Sequence, residues 1–113
     1  MTITENKHGR VTVIALKGNL FGEPETTTLR DTIYRLTERD ELHVVLDLVS
    51  LKAINSTGLG LMVTALTSLR KRTGDLRLAR SSDKVQSLLM ITHLVKVFRS
   101  YDTVERAVSS FKQ

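Results

Sequence analysis

The 113-residue sequence has no cysteine, no tryptophan, a single proline, and aromatic side chains at only 4% of its positions. Without cysteine the chain can form neither disulfides nor thiolate metal sites, which suits a reducing compartment. The scarcity of aromatic rings leaves little surface on which single-stranded nucleic-acid bases could stack. The sequence also has no apolar run long enough for a signal peptide or a membrane span, so we expect a soluble, cytoplasmic protein.

Acidic residues are in the minority, with 12 Asp and Glu against 17 Lys and Arg, which gives a net charge of +5. The basic residues group at Arg70-Lys71-Arg72 and recur at Arg77, Arg80, Lys84, Lys96 and Arg99. They are spread over several elements rather than along one stripe, so we expect no direct nucleic-acid binding. Because the sequence has no apolar segment that could span a membrane, we expect no membrane partner either. Cations at the end of a helix suit its dipole, and a basic surface also attracts an acidic protein.

The strongest structural signal is a change of period in the middle of the chain. Val44 to Leu48 is a short aliphatic run typical of a buried strand, and from Ser56 the apolar residues follow a helical period. The period predicts a buried stripe that leaves Leu61 exposed and consists of Leu59, Met62, Val63, Leu66 and Leu69. We expect Ser56 at the N-cap, where its hydroxyl, or a phosphate on it, would meet unpaired N–H groups and the positive end of the helix dipole.

Gly58 and Gly60 lie in the first turn of this predicted helix. Each costs about 1 kcal/mol of helix stability relative to alanine, and each clears a side chain from the backbone. Two interpretations stay open. Either the start of the helix packs tightly on the preceding strand, or another molecule approaches it closely.

Strands and helices alternate along the whole chain, which predicts an α/β fold with a mostly parallel sheet, an N-terminal hairpin and about four helices. The predicted strands are Thr2 to Asn6, Val11 to Lys17, Val44 to Leu48, Leu76 to Arg80 and Val95 to Arg99. The predicted helices begin at Pro24, at Ser56, after Ser81 or Ser82, and near Asp102, with a loop from Gly18 to Glu23. On the first helix Leu29, Ile33 and Leu36 should be buried and Thr26 should not. With neither a linker nor a repeat, residues 1–113 are expected to form one domain.

Within this frame one motif is specific. Leu46-Asp47-Leu48, followed by the run from Ile54 to Gly60 (INSTGLG), resembles the signature of STAS domains, in particular single-domain bacterial anti-sigma factor antagonists. The resemblance extends over nearly the whole chain through Gly18-Asn19-Leu20, Gly74 to Leu78 and Val85 to Phe98. It implies a STAS-like fold in which Ser56 is phosphorylated by a kinase that is itself the anti-sigma factor, with Thr57 as the rival acceptor. The chain departs from the family at Asn55 and Phe21, where aspartate is usual.

The resemblance implies a non-enzymatic switch in signal transduction and regulation of transcription. It would bind an anti-sigma factor kinase of the histidine-kinase-like ATPase class while Ser56 is unphosphorylated. The partner would bind the ATP, so no cofactor is expected here, and a phosphatase would reverse the reaction. The expected partner-binding residues are Leu20, Phe21, Asn55, Ser56, Thr57, Gly58, Leu59, Gly60, Leu61 and Thr64.

Two alternative functions stay open. One is a constitutive, non-phosphorylated STAS adaptor in a signalling or membrane-associated complex, which Asn55 and Phe21 favour. The other is a module that binds a small anion or nucleotide through the backbone amides of residues 57–60.

The residues that catalysis needs do not occur at the required spacings. His8, His43 and His93 are far apart in the sequence, and none lies at metal-ligand spacing. Ile54 occupies the first glycine position of a Gly-x-Ser-x-Gly motif, and Val63 occupies the third glycine position of a dinucleotide motif. We therefore expect no catalytic, cofactor-binding or metal-binding residue, and we interpret Asp47 as a structural acid of the strand.

Overall fold

The computed structural model describes residues 1–112, and within them the chain forms six strands and four α-helices. The strands are β1 (Thr2–His8), β2 (Val11–Leu20), β3 (His43–Asp47), β4 (Leu51–Ile54), β5 (Asp75–Ala79) and β6 (Ser100–Tyr101). The helices are α1 (Glu25–Glu38), α2 (Ser56–Arg70), α3 (Asp83–Ile91) and α4 (Val104–Ser109), followed by a 3-10 helix (Ser110–Lys112). The predicted α/β fold is confirmed.

The sheet has the order β1-β2-β3-β5-β6, and β4 pairs with the second half of β2. Only the β1–β2 hairpin is antiparallel among these pairs, as the sequence predicted. Leu20 at the end of β2 pairs with Ile54 at the end of β4. Because α2 follows β4 after one residue, the start of α2 lies beside the end of β2.

Both faces of the sheet are covered by helices, and side chains alternate between them. Val44 and Leu46 of β3 join a large core beneath α1, α2 and α3, whereas Val45 faces α4. The core under α4 is smaller and consists of Val11, Val13, Val45, Ala79, Ala107 and Val108. Burial on both faces explains why β3 reads as a continuous apolar run.

The buried faces of α1 and α2 agree with the predicted periods, with two exceptions. Leu29, Ile33, Leu36, Leu59, Met62, Leu66 and Leu69 are buried, and Val63 is half-buried. Thr26, predicted to point outward, is buried, and its hydroxyl donates to Glu23 at 2.6 Å. Leu61, predicted to be exposed, is buried because α1 packs against that flank of α2 and extends the buried stripe.

Two strand predictions fail where the chain makes unforeseen pairings. β2 continues to Leu20 because β4, which was not predicted, pairs with residues 18–20. The predicted strand from Val95 to Arg99 is wrong, since this segment turns and Val97 N–H donates to the Leu94 carbonyl at 2.9 Å. Backbone groups satisfied within a turn are not free for a ladder, so β6 begins only at Ser100.

At the other helix starts the predictions are close. Pro24 is the N-cap of α1 rather than its first residue. Ser82, one of the two predicted caps, begins α3 by accepting a hydrogen bond from Val85 N–H at 3.3 Å. Thr103 caps α4 in the same way.

Candidate functional site

The start of α2 is fixed by Asn55, which has an extended backbone and is the N-cap residue. Its Oδ1 accepts a hydrogen bond from Gly58 N–H at 3.0 Å, and its carbonyl accepts one from Leu59 N–H at 2.9 Å. The prediction that Ser56 is the N-cap is therefore wrong by one residue. Asparagine and serine are both good caps, and the extended backbone that follows β4 puts the asparagine at the boundary.

Asn55 also connects α2 to the loop between β2 and α1. Its Nδ2 donates to the Phe21 carbonyl at 2.7 Å, and its backbone N–H points to the Leu20 carbonyl at 3.4 Å. An aspartate could cap the helix equally well but has no N–H to donate to Phe21. The amide of Asn55 therefore holds the Phe21 backbone next to the start of α2. This role was not predicted from the sequence, although an asparagine directly before an apolar helix is a recognisable capping signal.

The two glycines of the first turn of α2 differ in their surroundings. A Cβ on Gly58 would lie 2.3 Å from the Leu20 carbonyl oxygen and 2.9 Å from Leu20 Cγ, so tight packing on β2 explains this glycine. A Cβ on Gly60 would meet no atom of the described residues within 4 Å. Packing inside the protein therefore does not account for Gly60.

Six of the ten residues predicted to bind a partner reach the surface, and we call them the Ser56 face: Phe21, Asn55, Ser56, Thr57, Gly60 and Thr64. The other four are buried and cannot contact a partner directly: Leu20, Gly58, Leu59 and Leu61. Leu61 is only 7% exposed, so Phe21, which is 47% exposed, is the one large apolar side chain of the Ser56 face.

The first turn of α2 differs electrostatically from that of the other helices. The first turns of α1, α3 and α4 contain Glu25, Asp83 and Glu105 respectively, whereas that of α2 has no acidic residue. Within residues 1–112 the backbone N–H groups of Ser56 and Thr57 have no protein acceptor. A negative charge on Ser56 would therefore be stabilised by the helix dipole, by about 0.3–1 kcal/mol.

Asp47, the other acid of the motif, is committed to a structural contact. It ends β3 and is buried, and Arg80 donates to its two oxygens through Nε at 3.0 Å and Nη2 at 2.5 Å. The hydrogen bond to Asp47 raises the pKa of Arg80. The interpretation of Asp47 as a structural acid is confirmed.

The three histidines lie on different elements of the fold. His43 begins β3 and stacks on Phe111 with ring centroids 4.7 Å apart, whereas His8 ends β1 and His93 follows α3. Across residues 1–112 no group of three or more His, Asp and Glu side chains could hold a metal ion. In the same part of the chain, no helix combines the length and the apolar character needed to cross a membrane.

Nearly the whole chain matches one known protein family. Residues 2–107 match the family model for the STAS domain. The chain belongs to the STAS family. A Thermotoga maritima protein described as a candidate anti-sigma factor antagonist is 29% identical over 70 residues, which are 62% of this STAS chain and 62% of that protein. The STAS chain thus spans 62% of the length of this relative.

Solved structures agree in fold. The crystal structure of a candidate anti-sigma factor antagonist from Thermotoga maritima matches with a TM-score of 0.91 at 20% identity, over 98% of this chain and 95% of that one. The anti-sigma factor antagonist SpoIIAA in its unphosphorylated form matches with a TM-score of 0.79 at 18% identity, over 98% of each chain. SpoIIAA of Bacillus in its phosphorylated form has the same TM-score at 19% identity, over 97% of this chain and 99% of that one.

Proposed function

We propose that this STAS protein is an anti-sigma factor antagonist whose Ser56 face binds an anti-sigma factor kinase while Ser56 carries a free hydroxyl. The observation that carries the proposal is the exposed Ser56 beside Phe21, which Asn55 holds through its 2.7 Å amide bond. The Ser56 face thus combines one exposed apolar side chain with exposed small polar residues, and this is the composition expected of an interface with an apolar centre and a polar rim. Family membership and the names of the relatives support this class of partner.

The start of α2 can carry a phosphate without unfolding. Phosphorylation of Ser56 adds about −1.5 to −2 charge at neutral pH, and the helix end that receives it has no acidic side chain in its first turn. SpoIIAA, with a similar fold, has been solved in both the unphosphorylated and the phosphorylated form. We expect the modified domain to keep its fold.

Phosphorylation would release the partner through the interface rather than through the fold. A partner fitted to a small neutral hydroxyl between Asn55 and Gly60 would meet added bulk and an uncompensated charge, which costs about 2–5 kcal/mol when buried. The kinase would supply ATP and a phosphatase would restore the hydroxyl. The STAS chain itself would catalyse nothing.

Two substitutions of Ser56 test the switch. Ser56→Ala should bind the cognate kinase like the wild type and take up no phosphate, whereas Ser56→Asp should fold normally and bind at least about 30-fold more weakly. Thr57→Ala is the matched control, and it should both bind and be phosphorylated. Partner affinity is measured by calorimetry, phosphate uptake by intact-mass spectrometry and folding by thermal melting.

A constitutive adaptor is the second candidate, because Phe21 and Asn55 contribute an apolar and a neutral polar side chain, rather than acids, to the Ser56 face. It predicts that the wild-type chain takes up no phosphate and that Ser56→Asp binds its partner as tightly as the wild type. That result would overturn the switch and favour the adaptor.

A further inference from the structure

A groove with a volume of about 370 Å³ runs between α1 and α2. It is lined by residues 30–37 of α1 and residues 61–68 of α2, together with Arg72 just after α2. These stretches are two helical turns each, so the groove is about 10 Å long. Pockets that bind small molecules have volumes of about 300–1,000 Å³. The groove is therefore large enough for a small ligand.

Hydrogen bonds hold the two helices together at both ends of the groove. Before the helices begin, Asn55 Nδ2 donates to the Phe21 carbonyl at 2.7 Å. At the other end, Arg72 Nη1 donates at 2.7 Å to the carbonyl of Thr37, in the last turn of α1. The two helices therefore run in the same direction, and the groove between them is already formed without a ligand.

The surface inside the groove is mainly apolar. Ile33 and Ala65 line it and keep only 5% and 6% of their surface exposed. Tyr34 also lines the groove and is 62% exposed. Apolar walls with a few polar groups are typical of sites for small organic molecules, so this surface suits the apolar body of a ligand.

The charged residues that line the groove are both cations, Arg30 and Arg72. Arg72 is paired with the carboxylate of Asp40. Within residues 1–112, Arg30 forms no ion pair. One positive charge beside the apolar surface is therefore left without a counter-charge, and a ligand with a single negative charge would complement it.

We propose that the groove between α1 and α2 binds a small amphipathic carboxylate, with its apolar body against Ile33 and Ala65 and its carboxylate on Arg30. The planar guanidinium fork matches a carboxylate through two parallel hydrogen bonds. A neutral ligand of the same shape leaves Arg30 unpaired, and a cationic ligand is repelled. Nine residues line the groove, whereas a stable protein interface takes about 20–30 residues a side, so the groove suits a small ligand better than a protein.

The groove is distinct from most of the Ser56 face. Of the six residues of that face, Thr64 lines the groove, whereas Ser56 and Phe21 do not. Ligand binding is measured on this chain alone and does not depend on phosphorylation. Its failure would therefore leave the proposed switch untouched, and failure of the switch would leave the groove untouched.

NMR titration of the full chain with three eight-carbon probes tests the proposal. The probes are octanoate, 1-octanol and octyltrimethylammonium, which share the apolar chain and differ in charge. Octanoate should shift the amide signals of residues 30–37 and 61–68 saturably, and it should bind at least about tenfold more tightly than the other two. Equal binding of the three probes, absence of saturable binding, or shifts confined to other residues would overturn the proposal.

Two pairs of variants locate the contact. Arg30→Gln should lower octanoate affinity about tenfold and leave 1-octanol affinity unchanged. Its matched control is Arg106→Gln, an exposed arginine of α4 on the other face of the sheet. Ser68→Trp should fill the groove and prevent octanoate binding, whereas Thr67→Trp, at an exposed neighbour that does not line the groove, should not.

Thermal melting checks the fold of all four variants, whose replaced residues are exposed. An equal loss of octanoate affinity in Arg106→Gln and Arg30→Gln would assign binding to net charge and contradict the site. If wild-type protein does not bind octanoate and Ser68→Trp instead prevents kinase binding, the groove is a protein contact and the proposal is wrong.

Discussion

At its N-terminus α2 is held by the neutral side chain of Asn55, whereas at its C-terminus it is held by a charged network. There Arg70 Nε donates to Asp75 Oδ1 at 2.9 Å, and Arg77 Nε donates to Asp75 Oδ2 at 2.9 Å. Leu76 N–H donates to the same carboxylate at 3.0 Å. The acid at this end is thus bound within the protein, whereas the N-terminal end keeps an exposed hydroxyl and unpaired N–H groups. Because it has unpaired N–H groups and no acidic side chain, the N-terminal end of α2 is better suited than the C-terminal end to accept the negative charge of a phosphate.

The charged network also sets a pH dependence. Burial by itself raises the pKa of Asp75, but hydrogen bonds from Arg77 and Arg70 outweigh it, so this pKa lies below its ordinary value. A lowered carboxylate pKa stabilises the fold above the pKa of the unfolded chain, about 3.9, and this stabilisation is lost as the pH falls through the folded-state value. No such dependence is expected from the uncharged groups at the N-terminal end.

The largest expected effect comes from removing the charge at the C-terminal end. Asp75→Asn should lower the free energy of unfolding by about 1.5–3 kcal/mol at pH 7, because two arginines lose an ionised acceptor. Urea unfolding at pH 7 measures this change. When the pH is lowered from 7 to about 3, the free energy of unfolding should fall less for Asp75→Asn than for the wild type, because the variant has no carboxylate at this position to protonate. Asp102→Asn, at an exposed acid, is the control with little change. If Asp75→Asn matches the control at pH 7, the network does not stabilise the helix end.

The two glycines at the N-terminal end allow the next comparison. Gly58→Ala should destabilise the protein by about 1–3 kcal/mol, because its Cβ would clash with the Leu20 carbonyl. Gly60→Ala should stabilise it by up to about 1 kcal/mol, because alanine is the better helix former and the space is open. Thermal and urea unfolding measure both. A Gly60→Ala variant that is more stable yet binds the kinase poorly would show that the partner approaches the backbone there, whereas equal effects of the two substitutions would contradict the packing difference.

The sequence predicted best where a pattern is long and local. The run of β3 and the helical period of α2 each span enough positions to identify the element and its buried face. β4 has only four residues and β6 only two, and both depend on partners distant in the chain. β4 was not predicted, and the final strand was predicted at Val95 to Arg99, just before β6, because so short a segment has no period of its own.

At the candidate site the sequence identified the motif but not the contacts that shape it. Ser56, Thr57 and Phe21 were correctly expected at the surface. The burial of Leu61 depends on where α1 packs, and the role of Asn55 depends on how near the loop at Phe21 comes to α2. These are tertiary distances, which a single sequence does not contain.

The smallest effect, and the sharpest test of the neutral end, concerns Asn55. Asn55→Ala should lower the free energy of unfolding by about 1 kcal/mol, because both the cap to Gly58 and the bond to the Phe21 carbonyl are lost. Asn55→Asp keeps the cap and suits the helix dipole, so it should cost less. It nevertheless sets a carboxylate against the Phe21 carbonyl, and the loop should move away from α2. Amide hydrogen exchange around Phe21 and kinase affinity measure the result: both variants should exchange faster there and bind more weakly. If Asn55→Asp leaves exchange and affinity unchanged, the amide does not hold Phe21 in place, and the neutral end of α2 owes its shape to packing alone.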